Sequence, residues 1–117
     1  MSKPLVHQVA ERARGLIADP RSWTQFAIAR TGNHRHCEPT DAKAVRFCAY
    51  GAILRAAYDV AGSEAPALRL AYQTAMLLMG QDSPYAAFEE LIAVNDGQRS
   101  GARNAVLELF DKALVKA

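Results

Sequence analysis

One segment of the chain, residues 45–60 (VRFCAYGAILRAAYDV), constrains the fold most because it is apolar on two sides. When the segment is drawn as a helix, its first apolar face contains Val45, Cys48, Ala49, Ala52, Ile53, Ala56 and Val60. Its opposite face contains Phe47, Tyr50, Leu54 and Tyr58. A helix that is apolar on two faces needs neighbours on both, which predicts the centre of a helical bundle. Gly51 and the alanines are small enough to let those neighbours approach closely.

Capping and turn residues divide the rest of the chain into further helices. Thr40 and Asp41 are expected to begin the central helix, which we predict over residues 41–61 and which Gly62 would end. Further helices are predicted over residues 2–19, 22–30, 66–80, 83–94 and 100–114, with a polar loop at 31–39. No segment shows the alternation of a strand. The sequence therefore predicts one all-α domain over residues 1–117, a compact bundle of five to six helices.

Composition narrows the class of protein. Half of the residues are hydrophobic and 22% are charged, which is typical of a soluble globular protein. No apolar run approaches the roughly 20 residues of a membrane span, so we expect no membrane association. The two cysteines follow no secretory segment, which favours free thiols and a cytoplasmic location. The net charge of +2 is too small to predict a nucleic-acid partner, although residues 1–37 hold six basic and two acidic side chains.

Cys48 is the first candidate for chemistry. A nucleophilic cysteine needs a lowered pKa, from a helix N-terminus or a cation, and a base within hydrogen-bond reach. In a helix that begins at Asp41, Cys48 lies two turns beyond the terminal amides, so we expect a packed core thiol. The alternative is a cysteine-dependent hydrolase or transferase in which Cys48 acts with a histidine and an Asn or Asp. The candidates for those roles are His34, His36, Asn95 and Asp96.

The loop segment HRHC, residues 34–37, brings three potential metal ligands within four positions. A structural zinc site needs four ligands, and the spacing matches no standard zinc motif. We therefore expect an exposed polar loop, with no metal and no cofactor.

Arginines mark two candidate anion sites. Arg30 precedes the histidine loop and Arg35 lies in it. Guanidinium groups bind phosphate oxygens in bidentate fashion. Arg99 and Arg103 lie beside the expected N-terminus of the last helix, whose free amides attract anions. The alternative reading of this second region is structural, because Asn95 and Asp96 are turn formers that satisfy helix ends.

Several short motifs occur in a recognisable order. They are Trp23, Ala29-Arg30, Phe47-Cys48-Ala49, Gly51-Ala52, Arg55-Ala56 and Asn95-Asp96. In these the chain resembles a widespread bacterial family of small proteins with a domain of unknown function, from about Trp23 to the end. The resemblance implies an uncharacterised cytoplasmic protein with no assigned reaction. It also implies that the tryptophan, the cysteine and the Asn-Asp pair meet in space.

These observations favour a non-catalytic binding or accessory module over an enzyme. The expected partner is a protein, a second copy of the chain in a homodimer, or a small anionic ligand. If the helix after Pro66 is not fully covered, Tyr72, Met76, Met79 and Tyr85 would supply an adaptable apolar groove. The cysteine-dependent enzyme is the alternative. Weak nucleic-acid binding through the four arginines is the least favoured of the three.

Overall fold

The computed structural model describes residues 3–97 and 101–116, and five α-helices account for most of them. They are α1 (Leu5–Ile17), α2 (Ala49–Ala61), α3 (Glu64–Met79), α4 (Pro84–Asn95) and α5 (Ala102–Lys116). A 3-10 helix covers Pro20–Ser22. Two short strands, β1 (Ala29–Arg30) and β2 (Arg46–Phe47), pair antiparallel. The predicted all-α fold is confirmed, apart from this small two-stranded sheet. None of the described helices is long and apolar enough to cross a membrane.

Helix α2 lies at the centre of the bundle. It packs against α1, α3 and α4. Its buried residues extend around the helix: Ala49, Tyr50, Gly51, Ala52, Ile53, Ala56 and Ala57. The prediction of a central helix with neighbours on two sides therefore agrees with its surroundings. Gly51 is required for a different reason from the expected one, because a Cβ there would lie 1.9 Å from the carbonyl oxygen of Ile28. The close neighbour is the backbone of the non-helical segment that leads into β1, and not another helix.

The predicted helix over residues 22–30 is wrong. Apart from Ser22, which ends the 3-10 helix, this segment is not helical: residues 25–28 form bends, the Thr24 amide donates to the Phe47 carbonyl at 3.0 Å, and Ala29 pairs with Phe47. A helix of about eight residues is marginal in isolation. The irregular conformation instead allows Trp23 and Gln25 to hydrogen-bond the end of α4, 70 or more residues away. Long-range polar contacts therefore outweigh the local helical pattern.

The start of the central helix is also wrong in the prediction. Helix α2 begins at Ala49, eight residues after Asp41, and Thr40 does not cap it. The Asp41 carboxylate instead accepts from the Lys43 amide at 2.8 Å and forms a turn. The chain then enters β2, and Cys48 becomes the N-cap of α2, with φ −76° and ψ 175°. The cysteine is thus at the helix N-terminus and not two turns inside.

The remaining helix ends agree more closely with the sequence. Gly62 and Gly80 end α2 and α3 in the left-handed conformation that glycine adopts without strain. The Ser83 hydroxyl accepts from the Ala86 amide and caps α4, which begins at Pro84 as predicted. Helix α3 begins at Glu64, two residues before the predicted Pro66. The expected caps Ser2 and Ser100 lie outside the described residues.

Candidate functional site

The side chain of Asn95 joins three parts of the fold: the segment of Trp23 and Thr24, the start of α2 and the end of α4. It is fully buried at the end of α4. Its Oδ1 accepts from Trp23 Nε1 at 2.7 Å and from the Ala49 amide at 2.9 Å. Its Nδ2 donates to the Thr24 carbonyl and to Asp96 Oδ1, both at 3.0 Å. Four hydrogen bonds use all of the donors and acceptors of this amide, so Asn95 is a structural residue in this geometry.

The neighbouring residues extend this polar cluster. Asp96 Oδ1 also accepts from the Phe26 amide at 2.9 Å, and Gln25 Nε2 donates to the carbonyls of Asn95 and Gly97. Phe26 has φ +61°, a left-handed conformation that costs energy for a bulky residue, and the bond to Asp96 holds it there. The tryptophan, the cysteine-bearing turn and the Asn-Asp pair therefore meet, as the resemblance implied. We call Trp23, Gln25, Asn95 and Asp96 the asparagine cluster.

Cys48 lies beside this cluster on the wall of a small pocket. The pocket has a volume of about 350 Å³, and its described lining consists of Phe26, Ala27, Ile28, Cys48, Ile92 and Asp96. Only 4% of Cys48 is exposed, and its Sγ accepts from the Gly51 amide at 3.3 Å. Burial raises the pKa of the Cys48 thiol; the amides of Gly51 and Tyr50 act in the opposite direction but do not prevail. The thiol is therefore protonated at neutral pH, which is unfavourable for a nucleophile.

The two loop histidines lie elsewhere. His34 and His36 are exposed, and neither is among the described residues that line the Cys48 pocket. His34 has φ +66°, and its carbonyl accepts from Arg30 at 2.9 Å. His36 pairs with the backbone of Arg30 in an isolated bridge. The structure thus brings Cys48 together with Asn95 and Asp96, whereas the histidines lie in a separate exposed loop. Within residues 3–97 and 101–116, no group of three or more potential ligands could hold a metal ion.

The candidate arginines are separated in the fold. Arg30 donates to Thr24 Oγ1 and to the carbonyls of His34 and Gln25, so its guanidinium holds the loop together. Arg103 donates to the Ala18 carbonyl at 2.8 Å and joins α5 to the end of α1. Arg35 is exposed in the histidine loop. Arg99 lies outside the described residues. Each of the two arginines with described contacts has a structural partner.

A second pocket combines aromatic side chains from three helices. Its volume is about 440 Å³, and its described lining consists of Tyr50, Tyr72, Ser83, Pro84, Tyr85 and Phe88. We call it the aromatic pocket. The rings of Tyr50 and Phe88 meet edge to face, with centroids 4.1 Å apart and an interplanar angle of 76°. Tyr85 is 71% exposed at the rim, and Tyr72 is also exposed.

The predicted groove is found only in part. Tyr72 and Tyr85 line the aromatic pocket, but Met76 and Met79 are half-buried against the core. Sequence reasoning missed Tyr50, which it assigned to a packed helix face, and Phe88. One signal was available: Tyr85 and Phe88 are three residues apart, and this spacing puts both on one face of a helix. No local pattern indicated that this face would meet Tyr50 and Tyr72.

The Tyr50 hydroxyl is the unusual polar group in the aromatic pocket. The residue is only 3% exposed, and burial raises the pKa of its phenol strongly. Its hydroxyl has no hydrogen-bond partner among the described residues, whereas every fully buried side-chain polar atom there has one. The small exposed part of Tyr50 therefore includes the hydroxyl, which is reached from the pocket that the residue lines.

Comparison with known proteins gives a family but no activity. A family model described as "Family of unknown function (DUF6197)" matches residues 1–115. No curated protein and no solved structure matches the chain significantly. The resemblance to a family of unknown function is thus confirmed at that level.

Proposed function

We propose that this protein, which belongs to the family of unknown function DUF6197, is a non-catalytic module that binds a small organic molecule. The ligand occupies the aromatic pocket. The observation that carries the proposal is the convergence of four aromatic side chains on one open cavity of about 440 Å³. Ligand pockets typically measure about 300–1,000 Å³ and combine apolar walls with a few polar groups that orient the ligand.

The chemistry of the lining favours binding over catalysis. The polar side chains among the described lining residues are the phenols of Tyr50, Tyr72 and Tyr85 and the hydroxyl of Ser83. The Ser83 oxygen already accepts from the Ala86 amide at 3.3 Å. Burial raises the pKa of Tyr50, so its phenol stays protonated at neutral pH. A protonated phenol can orient a ligand by hydrogen bonding, but it does not supply a base for hydrolysis or group transfer.

The cysteine-dependent alternative has less support. Cys48 does lie at a helix N-terminus, which is the position that activates thiols in many enzymes. Burial nevertheless raises its pKa, and the described wall of its pocket contributes a carboxylate, Asp96, and no imidazole. A carboxylate beside a thiol disfavours the thiolate. These contacts support a packing role for Cys48.

Fragment binding followed by NMR tests the proposal. A small set of neutral, cationic and anionic ring compounds is titrated into isotopically labelled protein. We expect the largest shift changes at Tyr50, Tyr72, Tyr85 and Phe88, and we expect Tyr85→Ala to weaken binding. The matched control is Tyr58→Ala, which removes another partly exposed tyrosine that lines a different cavity. Shift changes centred on Phe26, Cys48 and Asp96, or equal effects of the two variants, would contradict the proposal.

A further inference from the structure

The segment that supplies most of the aromatic pocket differs in charge from the whole chain. Residues 70–97 contain four acidic side chains, Asp82, Glu89, Glu90 and Asp96, and no Lys, Arg or His. The chain as a whole carries +2. Five of the six described lining residues, all except Tyr50, belong to this acidic segment. Asp82 and Glu89 are the chain neighbours of the lining residues Ser83 and Phe88, and their negative charge favours a cation over the anion that the candidate arginines suggested.

One of these acids acts on the pocket rim. The Glu89 carboxylate, four residues after Tyr85 on α4, raises the pKa of the Tyr85 phenol. None of the described residues that line the pocket is charged. The negative charge of Glu89 therefore acts on Tyr85, whereas the described lining is itself uncharged.

Aromatic walls select among cations. A ring attracts a cation placed over its face, and several rings around one site form the cages that bind quaternary ammonium groups. A primary ammonium is strongly hydrated and would need a carboxylate inside the pocket to replace its water. An alkylated ammonium is weakly hydrated and presents methyl groups to Tyr50, Tyr72, Tyr85 and Phe88. The uncharged aromatic lining suits the alkylated form.

The Tyr50 hydroxyl supplies a second determinant. A hydroxyl that is reached from the pocket and has no described partner is available to hydrogen-bond a ligand or a water there. A hydroxyl or carbonyl oxygen close to the ligand's cationic group would satisfy this phenol. The pocket therefore offers ring faces for the cation and one hydrogen-bonding position beside them.

We infer that the ligand of the aromatic pocket is a small molecule with an alkylated ammonium group and a nearby oxygen. This inference rests on the proposed function, because it names the ligand class of the same pocket. Its physical content is that positive charge, and not only apolar shape, contributes to affinity.

A pair of probes of equal shape isolates the charge. Choline carries a trimethylammonium group and a hydroxyl, and 3,3-dimethylbutan-1-ol is its neutral carbon analogue. Titration of each into the full chain, followed by NMR shifts of the pocket residues, should show choline binding about 3- to 30-fold tighter. Equal or tighter binding of the neutral alcohol in the pocket would overturn the inference and leave the proposed function intact. Binding of neither probe would also overturn the inference, while the fragment titration would decide the proposed function separately.

Substitutions at the exposed rim test the role of the ring. Tyr85→Leu keeps apolar bulk but removes the π face, and Tyr85→Phe keeps the face but removes the hydroxyl. We expect Tyr85→Leu to weaken choline binding several-fold more than Tyr85→Phe, with little change for the neutral alcohol. Tyr58→Leu is the matched control outside the pocket. Equal losses of choline affinity in Tyr85→Leu and Tyr85→Phe would contradict a contribution from the ring.

Discussion

The asparagine cluster and the aromatic pocket both bring polar side chains together from distant parts of the chain, but they differ in hydrogen bonding. In the cluster, Asn95 uses every donor and acceptor of its amide within the protein. In the pocket, Tyr50 is almost buried as a residue, but its hydroxyl has no described partner and is reached from the cavity. Satisfied buried groups hold a fold together, whereas a hydroxyl that faces a cavity and bonds no described protein group is open to a ligand. The comparison therefore separates the structural region of this molecule from its candidate binding region.

Removal of the Asn95 side chain should have the largest effect on stability. Asn95→Ala leaves Trp23 Nε1, the Ala49 amide and the Thr24 carbonyl without their partner. We expect the free energy of unfolding to fall by about 3–5 kcal/mol, since each buried unsatisfied group costs about 1–3 kcal/mol. Urea unfolding followed by circular dichroism measures the loss. The control Asn104→Ala, at an exposed position of α5, should change stability by less than about 0.5 kcal/mol. A similarly small effect at Asn95 would break the distinction between the two regions.

A methyl group at Gly51 tests how closely the backbone of Ile28 approaches α2. The added Cβ would lie 1.9 Å from the Ile28 carbonyl oxygen, which also accepts from the Cys48 amide. The backbone must move, so Gly51→Ala should destabilise the protein by about 2–3 kcal/mol, although alanine is normally the better helix residue. Gly15→Ala is the matched control, since a Cβ there meets nothing within 4 Å. We expect it to stabilise by about 0.5–1 kcal/mol. If both substitutions stabilised, the close approach would be wrong.

The reactivity of the two thiols tests whether Cys48 belongs to the packed region. Burial is the largest cause of the raised pKa of both Cys37 and Cys48, and Cys48 is the more buried of the two. A raised pKa means less thiolate at any given pH, so alkylation should accelerate only above the range of an ordinary thiol. At pH 8 we expect iodoacetamide to modify Cys48 at least about tenfold more slowly than Cys37, measured by mass spectrometry of peptides. After unfolding, the two rates should converge. Faster labelling of Cys48 in the native protein would revive the enzyme alternative.

The parts of the fold that were predicted correctly are those determined by residues close together in the chain. Gly62, Gly80 and Ser83-Pro84 mark helix ends through their own backbone preferences and capping bonds, and the structure agrees at all three places. The errors lie at 22–30 and 41–48, where the pattern is helical but the partners are remote. There the bonds of Trp23 and Gln25 to the end of α4 span 70 or more residues. Periodicity contains no information about such partners, so the local pattern gave the wrong structure.

The candidate site shows the same limit. The resemblance indicated that Trp23, Cys48 and Asn95 would meet, and residue types alone supplied the histidines and arginines as candidates. Tyr72 and Tyr85 were predicted as part of an apolar groove, on the condition that the helix after Pro66 is not fully covered. Tyr50 was assigned to a core face, since an aromatic in a two-sided apolar helix is usually packed. Whether the Tyr50 hydroxyl is covered depends on how α2, α3 and α4 pack together. A single sequence does not specify this packing.

The smallest stability change, and the sharpest separation of the two regions, is expected from Tyr50→Phe. The substitution removes one oxygen and keeps the ring that contacts Phe88. Because the hydroxyl has no described partner, its loss should change the free energy of unfolding by less than about 1 kcal/mol, in contrast to Asn95→Ala. The same change should weaken choline binding several-fold, because the ligand's hydroxyl would lose its partner.

Tyr72→Phe, in the same pocket but at an exposed phenol, is the control and should have the smaller effect on binding. Calorimetry of unfolding and choline titration of each variant supply the two measurements. A large loss of stability with unchanged binding would place Tyr50 with Asn95 as a structural residue.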